Sequence, residues 1–164
     1  MLNVHKKLIS VFDSLPLISG LKPHYDWGDS KHFNKLIKLY DNDLTKNIYP
    51  VIYNVSNEYS HNENSGEVES RLSLIIATRN TDQQLTNSQR WATSYNNILF
   101  PLCQNIITAF TKSAVFYWDQ EYDVFEFPNY SEGEENGFTD IIDALRLDTG
   151  ITITDKCLNK IFYT

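Results

Sequence analysis

The sequence is short of the residues on which recognisable active sites are usually built. Among 164 residues there are two cysteines, six glycines, five prolines and four histidines. Cys103 and Cys157 form no CxxC pair, and both are expected to be reduced. The glycines include no GxGxxG run and no phosphate-cradling GKT segment. There is no GxSxG elbow, and neither cysteine has a nucleophile signature around it. No stretch approaches about eighteen apolar residues, and the segment Met1-Leu2-Asn3-Val4-His5-Lys6-Lys7 lacks the apolar core of a signal peptide. The expectation is a soluble, unexported protein with no membrane partner. The glycosylation patterns Asn54-Val55-Ser56 and Asn129-Tyr130-Ser131 then read as chance matches.

Bases are scarce as well. The net charge is -7, and it is unevenly spread. From Asp119 to Asp148 there are ten acidic residues and one base, Arg146, whereas the first fifty residues hold seven lysines against five aspartates. Neutralisation of nucleic-acid phosphates is therefore an unlikely source of affinity. An acidic surface repels DNA, which matters if DNA must pass without sticking.

What is present is globular. Hydrophobic residues make up 41% of the chain and charged residues 21%, with ten Tyr, nine Phe and three Trp. One domain over residues 1–164 buries about two-thirds of its unfolded surface, and two would each be undersized. The many aromatics suit a core, and Tyr and Trp equally suit interfaces.

Periodicity supplies an α+β reading. A first helix is predicted from about Leu2 to Leu15, with Val4, Leu8, Val11, Phe12 and Leu15 on one face and Pro16 ending it. Pro16 to Asp29 reads as loop. Asp29 or Ser30 caps a second helix with Phe33, Leu36, Ile37 and Tyr40 inward and Lys31, Lys35 and Lys38 in water; Asp41 to Lys46 closes it. Tyr49 to Val55 reads as a strand, with Pro50 at its start, where no ladder donor is needed. Ser56 to Glu67 is a polar loop, and Val68 to Thr78 a strand with Leu72, Leu74 and Ile76 on one face, so that the two strands form a long hairpin.

Thr86-Asn87-Ser88-Gln89 is a capping box. The stripe after it, Trp91, Tyr95, Ile98, Leu99, Leu102, Cys103, Ile106, Ile107 and Phe110, predicts one long amphipathic helix lying across a sheet face. Pro101 offers no amide to Asn97, so a kink or break is expected there. Val115 to Trp118 and Val124 to Phe127 read as a second hairpin across the acidic connection Asp119 to Asp123. Asn129 to Gly137 is an acidic loop. Leu145, Leu147, Ile151 and Ile153 form a last strand with Arg146, Asp148, Thr152 and Thr154 on its other face, and Thr139 to Leu145 has a helical turn as its alternative. The fold class expected is an antiparallel or mixed sheet with the long helix on one face and additional N-terminal helices.

Two constellations offer metal chemistry. His24, Asp26, Asp29 and His32 carry ligands for a divalent transition metal, but no helix-face histidine pair four apart, and they read better as a polar loop and helix cap. Asp119, Glu121 and Asp123 imitate the first ligands of a calcium loop, but Val124 stands where the turn glycine belongs and Tyr130 where the bidentate glutamate belongs. A solvated acidic turn fits better. The expectation is no catalytic site, no metal and no cofactor, leaving as alternatives a hydrolase-like enzyme whose histidines meet carboxylates only in space and an adaptor that binds through a sheet edge.

The order of elements resembles the tail terminator proteins of long-tailed bacteriophages. The likeness rests on an N-terminal helix, a strand opening with Pro50 to Tyr53, a polar loop, a Leu72 to Ile76 strand, a helix containing Leu99-Phe100-Pro101-Leu102 and late strands, and it spans roughly Asn3 to Ile153. The extra helix at Ser30 to Tyr40 and the loop Asn129 to Gly137 depart from the smallest members and leave room for a related neck or head-tail joining protein. The resemblance implies a non-enzymatic virion subunit, assembled in the host cytoplasm, that forms a ring with itself, in all expectation a hexamer. The ring would cap the tail tube protein, meet a head completion or neck protein, and let DNA pass. Tyr59, His61, Asn62, Tyr122 and Tyr130 are candidate contacts to a neighbouring subunit or partner. Glu132, Glu134 and Glu135 are candidates for a lumen that repels DNA, against the plainer reading of a solvated loop.

Overall fold

The computed structural model describes residues 4–41, 47–55, 58–62, 66–80, 85–128 and 141–154. Its framework is a pair of long strands, β4 (Glu67–Asn80) and β6 (Ile141–Thr154), antiparallel along all fourteen residues from Glu67↔Thr154 to Asn80↔Ile141. Around them lie β1 (His24–Trp27), β2 (Val51–Asn54), β3 (Glu58–Asn62) and β5 (Tyr122–Phe127). The order is β1-β2-β4-β6-β5, with β3 pairing β4 farther along the edge that β2 occupies. All pairings are antiparallel except β1 with β2. The fold class is α+β with a mixed six-stranded sheet, as expected.

One face carries α1 (Val4–Phe12) and the long helix α3, which runs from Asn87 to Lys112. Val4, Leu8, Val11 and Phe12 of α1, and Tyr95, Leu99, Leu102, Cys103, Ile106 and Phe110 of α3, pack on Val68, Leu72, Leu74, Ile76, Leu145, Leu147, Ile151 and Ile153. These sheet residues alternate along their strands, as a half-buried sheet requires. The other face carries α2 (Ser30–Asp41), whose Phe33 and Ile37 meet Val51, Tyr53, Ile75, Ala77, Ile142 and Ala144. Asp29 caps α2, its Oδ1 accepting from the His32 N–H at 2.7 Å.

The capping box at Thr86 is formed: the Gln89 N–H donates to Thr86 Oγ1 (3.4 Å) and the Thr86 N–H to Gln89 Oε1 (2.9 Å). The interruption expected at Pro101 is not a break. The helix starts as an α-turn (Asn87–Arg90), widens into nine residues of π-helix (Trp91–Leu99) and returns to α-helix (Phe100–Lys112). Pro101 sits at the first turn of the restored α segment, where a missing N–H is tolerated. Trp91, which its spacing placed on the buried stripe, is 43% exposed at the start of the π segment, with its ring packed on Tyr95 and Phe100.

Several local expectations are corrected. Helix α1 stops at Phe12, although Leu15 is still buried. Pro16 to Asp29 contains β1, which exists because the β2 backbone beside it offers a parallel partner, beginning with the His24 N–H donating to the Pro50 carbonyl (2.9 Å). The polar Ser56 to Glu67 segment contains β3, paired from Glu58↔Arg71 to Asn62↔Glu67. Between Asn54↔Leu74 and Glu58↔Arg71 the register advances by one residue. The second hairpin does not form. Tyr117 bridges Thr152, β5 pairs β6, and so both of its arms lie along one edge of β6 rather than against each other. Residues 141–145 are strand, not a helical turn.

Candidate assembly surface

β4 is covered on both faces at its Ile75–Ala77 end and on one face only at its Glu67–Ser73 end. At that second end the strands run β3-β4-β6-β5, and the face turned from α3 has no helix over it among the described residues. Two adjoining hollows of about 650 and 1110 Å³ open on it and share Arg71, Asp119 and Gly150. A connected polar chain crosses its floor: Ser73 Oγ donates to Asp148 Oδ1 (2.6 Å), and Arg146 Nε lies 3.1 Å from Asp148 Oδ2. The Arg146 guanidinium sits 4.5 Å over the Phe125 ring. The arrangement orders charge on a sheet surface.

The outer edge beside this face is β5 with the segment leading into it. Four of the nine exposed large hydrophobic residues among those described are here: Tyr117, Tyr122, Val124 and Phe125, the first of them 67% exposed. The register puts Phe125 with Arg146 and Tyr117 with Thr152 on the open face, and Tyr122 with Thr149 and Val124 with Leu147 on the helix face, beyond the reach of α3. Buried Trp118 anchors the entry, its indole N–H donating to Thr149 Oγ1 (2.7 Å) while that hydroxyl donates to the Glu121 carbonyl (2.7 Å). Asp119, Glu121, Asp123 and Glu126 follow with no base between Tyr117 and Pro128. Asp119 Oδ1 accepts from the Glu121 N–H (3.1 Å), closing the acidic turn on its own backbone. No group of three potential metal ligands converges among the described residues.

The other predicted site residues fall at the opposite edge or outside the described residues. Tyr59 and Asn62 lie in β3, opposite Ser70 and Glu67, and His61 pairs with Val68. Tyr59 is 47% exposed, but its hydroxyl lies 3.0 Å from His5 Nε2. Tyr122 is exposed on β5, its ring stacked at 5.9 Å on Trp118. Tyr130, Glu132, Glu134 and Glu135 lie outside the described residues, as does Cys157. Thus Tyr59 and Tyr122 share a face but stand on opposite edges, three strand spacings or roughly 14 Å apart. Of the transition-metal candidates, Asp29 caps α2, Asp26 Oδ1 accepts from the Trp27 N–H (2.8 Å), and Asp26 Oδ2 is 3.8 Å from His32 Nε2.

Two clusters had no signal in the spacing. His5 stacks on Trp27 (4.6 Å) and places its two ring nitrogens 3.1 and 3.0 Å from the hydroxyls of Tyr25 and Tyr59. Burial pushes both tyrosine hydroxyls above their ordinary pKa, so they remain neutral phenols. At the start of α3, Arg90 Nη1 lies 3.7 Å from Asp143 Oδ1, and Asn80 Nδ2 is 3.5 Å from Asp143 Oδ2; Asp143 is fully buried. The nearby Tyr95 hydroxyl donates to the Ala144 carbonyl (3.4 Å), and burial, reinforced by the Asp143 charge, raises its pKa. Both clusters join residues far apart in sequence, and both tie a helix to the sheet.

No family model matches the chain, and no curated protein sequence matches it.

Proposed function

We propose that the protein is a structural subunit that assembles with copies of itself into a ring, capping a bacteriophage tail tube and joining it to the neck, with DNA passing through the opening. The observation that carries the assembly reading is the β5 edge, where Tyr117 and Phe125 stand exposed toward the open face and Tyr122 and Val124 toward the helix face. Singly exposed apolar residues are ordinary, but four along one acidic strand edge support an interaction surface. The tail-terminator part rests on the element order given above, a hairpin strand pair followed by one long helix laid across the sheet. In this reading the work of the molecule is contact rather than turnover, and its partners are itself, a tail tube protein and a head completion or neck protein.

Native mass measurement of the purified chain, alone and mixed with tail tubes, tests the reading. The expected result is a defined multiple of 19.1 kDa, or a ring recruited by the tubes. A chain that stays monomeric in both conditions overturns it.

A further inference from the structure

We propose that β5 takes up an added strand: an extended segment of a different polypeptide pairs with its outer edge and sets two basic side chains against Asp123 and Glu126. The inference rests on the reading of this edge as an assembly surface and deepens it, naming the mode of contact and the chemistry of the partner.

The outer strands of the sheet differ in how open they are. β1 is four residues long, and its Trp27 N–H is held by Asp26 Oδ1. β3 is polar apart from Tyr59, whose hydroxyl lies 3.0 Å from His5 Nε2. β5 has a neighbouring strand on one side among the described residues, β6, and Tyr122 to Glu126 are all exposed. Edge strands are commonly blunted by lysine, proline or a bulge. β5 contains no lysine and no proline, and its register with β6 runs unbroken from Tyr122↔Thr149 to Phe127↔Ala144. In an antiparallel pair the backbone groups of alternate residues point away from the partner strand, so the outer edge of β5 presents donors and acceptors for a further ladder. In strand addition the main chain supplies affinity and the alternate side chains supply specificity.

Charge states what the added strand carries. Asp123 stands directly opposite Asp148, a like-charge pair that weakens a sheet. Asp148 is engaged by Ser73 and Arg146, whereas Asp123 has no ion pair among the described residues. A basic side chain on the outer side of β5 supplies that cation. Glu126, three positions along and therefore on the other face, calls for a second one. Between them Val124 and Phe125 are exposed and match apolar neighbours. The complementary segment thus reads basic, apolar, apolar, basic, without proline. A second β5 does not meet this description: paired antiparallel about the Val124–Phe125 midpoint, it sets Asp123 against the copy's Glu126.

The test titrates the full chain with an end-blocked probe peptide, Thr-Thr-Lys-Val-Val-Lys-Thr-Thr, and follows amide shifts and hydrogen exchange. Binding slows exchange within Tyr122–Phe127 and weakens as salt is raised. The same peptide with both lysines replaced by glutamate binds about tenfold more weakly or worse. Methylating both valine nitrogens, which removes a ladder donor in either facing of the strand, costs a similar factor. D123K/E126K reverses the preference, taking the glutamate peptide over the lysine one. Should D123K/E126K melt early, D123N/E126Q abolishes the preference instead. Absence of protection in β5, equal binding of the N-methylated peptide, or a preference that the substitutions leave unchanged each overturn the added strand. A chain that assembles without protecting β5 against the probe loses the strand contact and keeps the ring reading. A chain that binds the probe yet stays monomeric, even with tail tubes, keeps the strand contact and loses the ring.

Discussion

The two ends of β4 are built differently although they belong to one strand. From Leu74 to Ala77 four consecutive apolar residues are buried, because α3 lies over one face and α2 over the other. From Val68 to Ser73 the chain alternates, with Val68 and Leu72 under the α1 and α3 layer and Glu69 and Arg71 in water. Runs belong to strands covered twice and alternation to strands covered once. The switch from one pattern to the other within β4 marks where α2 no longer covers the sheet among the described residues.

The most severe test of the covered end is Asp143→Ala, which leaves Arg90 buried without its ion-pair partner. A loss of about 3–5 kcal/mol in denaturant-derived stability is expected. A loss below about 1 kcal/mol would mean that water reaches this end and that the two ends are less different than they look. Next, Ile75→Ala should cost about 2–4 kcal/mol, while Arg71→Ala, four residues back on the same face, should stay within about 0.5 kcal/mol. Equal costs would erase the distinction between the two ends.

Alkaline titration probes the α3 side of the sheet. Burial pushes the Cys103 thiol up to about 11 from its ordinary 9. A raised folded-state pKa contributes stability that is fully present below pH 9 and lost as pH climbs from about 9 to about 11. The unfolding free energy should fall across that window by on the order of 2 kcal/mol, and Cys103→Ala should remove this early part of the fall. The part that Tyr95 adds begins at about pH 10, since its pKa is raised as well. The smallest effect belongs to the helix start: Thr86→Ala should cost about 1 kcal/mol and reduce hydrogen-exchange protection in the first turns of α3 more than near Phe110.

Much of the covered end was legible in the sequence. The Tyr49 to Val55 and Val68 to Thr78 strands, the Phe33 and Ile37 face of α2 and the Thr86 cap were readable because each is a local pattern with its own period or hydrogen-bond geometry. What escaped was decided by partners. His24 to Trp27, between Pro23 and Gly28, is too short to show a period and becomes a strand beside β2. Glu58 to Asn62 is polar apart from Tyr59, and β4 makes it a strand. Val115 to Trp118 and Val124 to Phe127 look like arms of one hairpin, but β6 takes both. Trp91 fits a 3.6-residue stripe, yet it stands exposed at the start of the π segment. Of the candidate contacts, Tyr59 and Tyr122 are exposed. That they stand at opposite edges of the sheet depends on the β4–β6 pairing, which no local pattern reports.

The pairing of β4 with β6 also sets an order of events during synthesis. β4 is complete at Asn80 and β5 at Phe127, yet both wait for β6, which is not finished until Thr154. Until then a growing chain presents fourteen residues of unpaired strand edge that α3 can shield from above but cannot hydrogen-bond. Chains halted before β6 should therefore aggregate or be degraded rather than persist as smaller folded proteins.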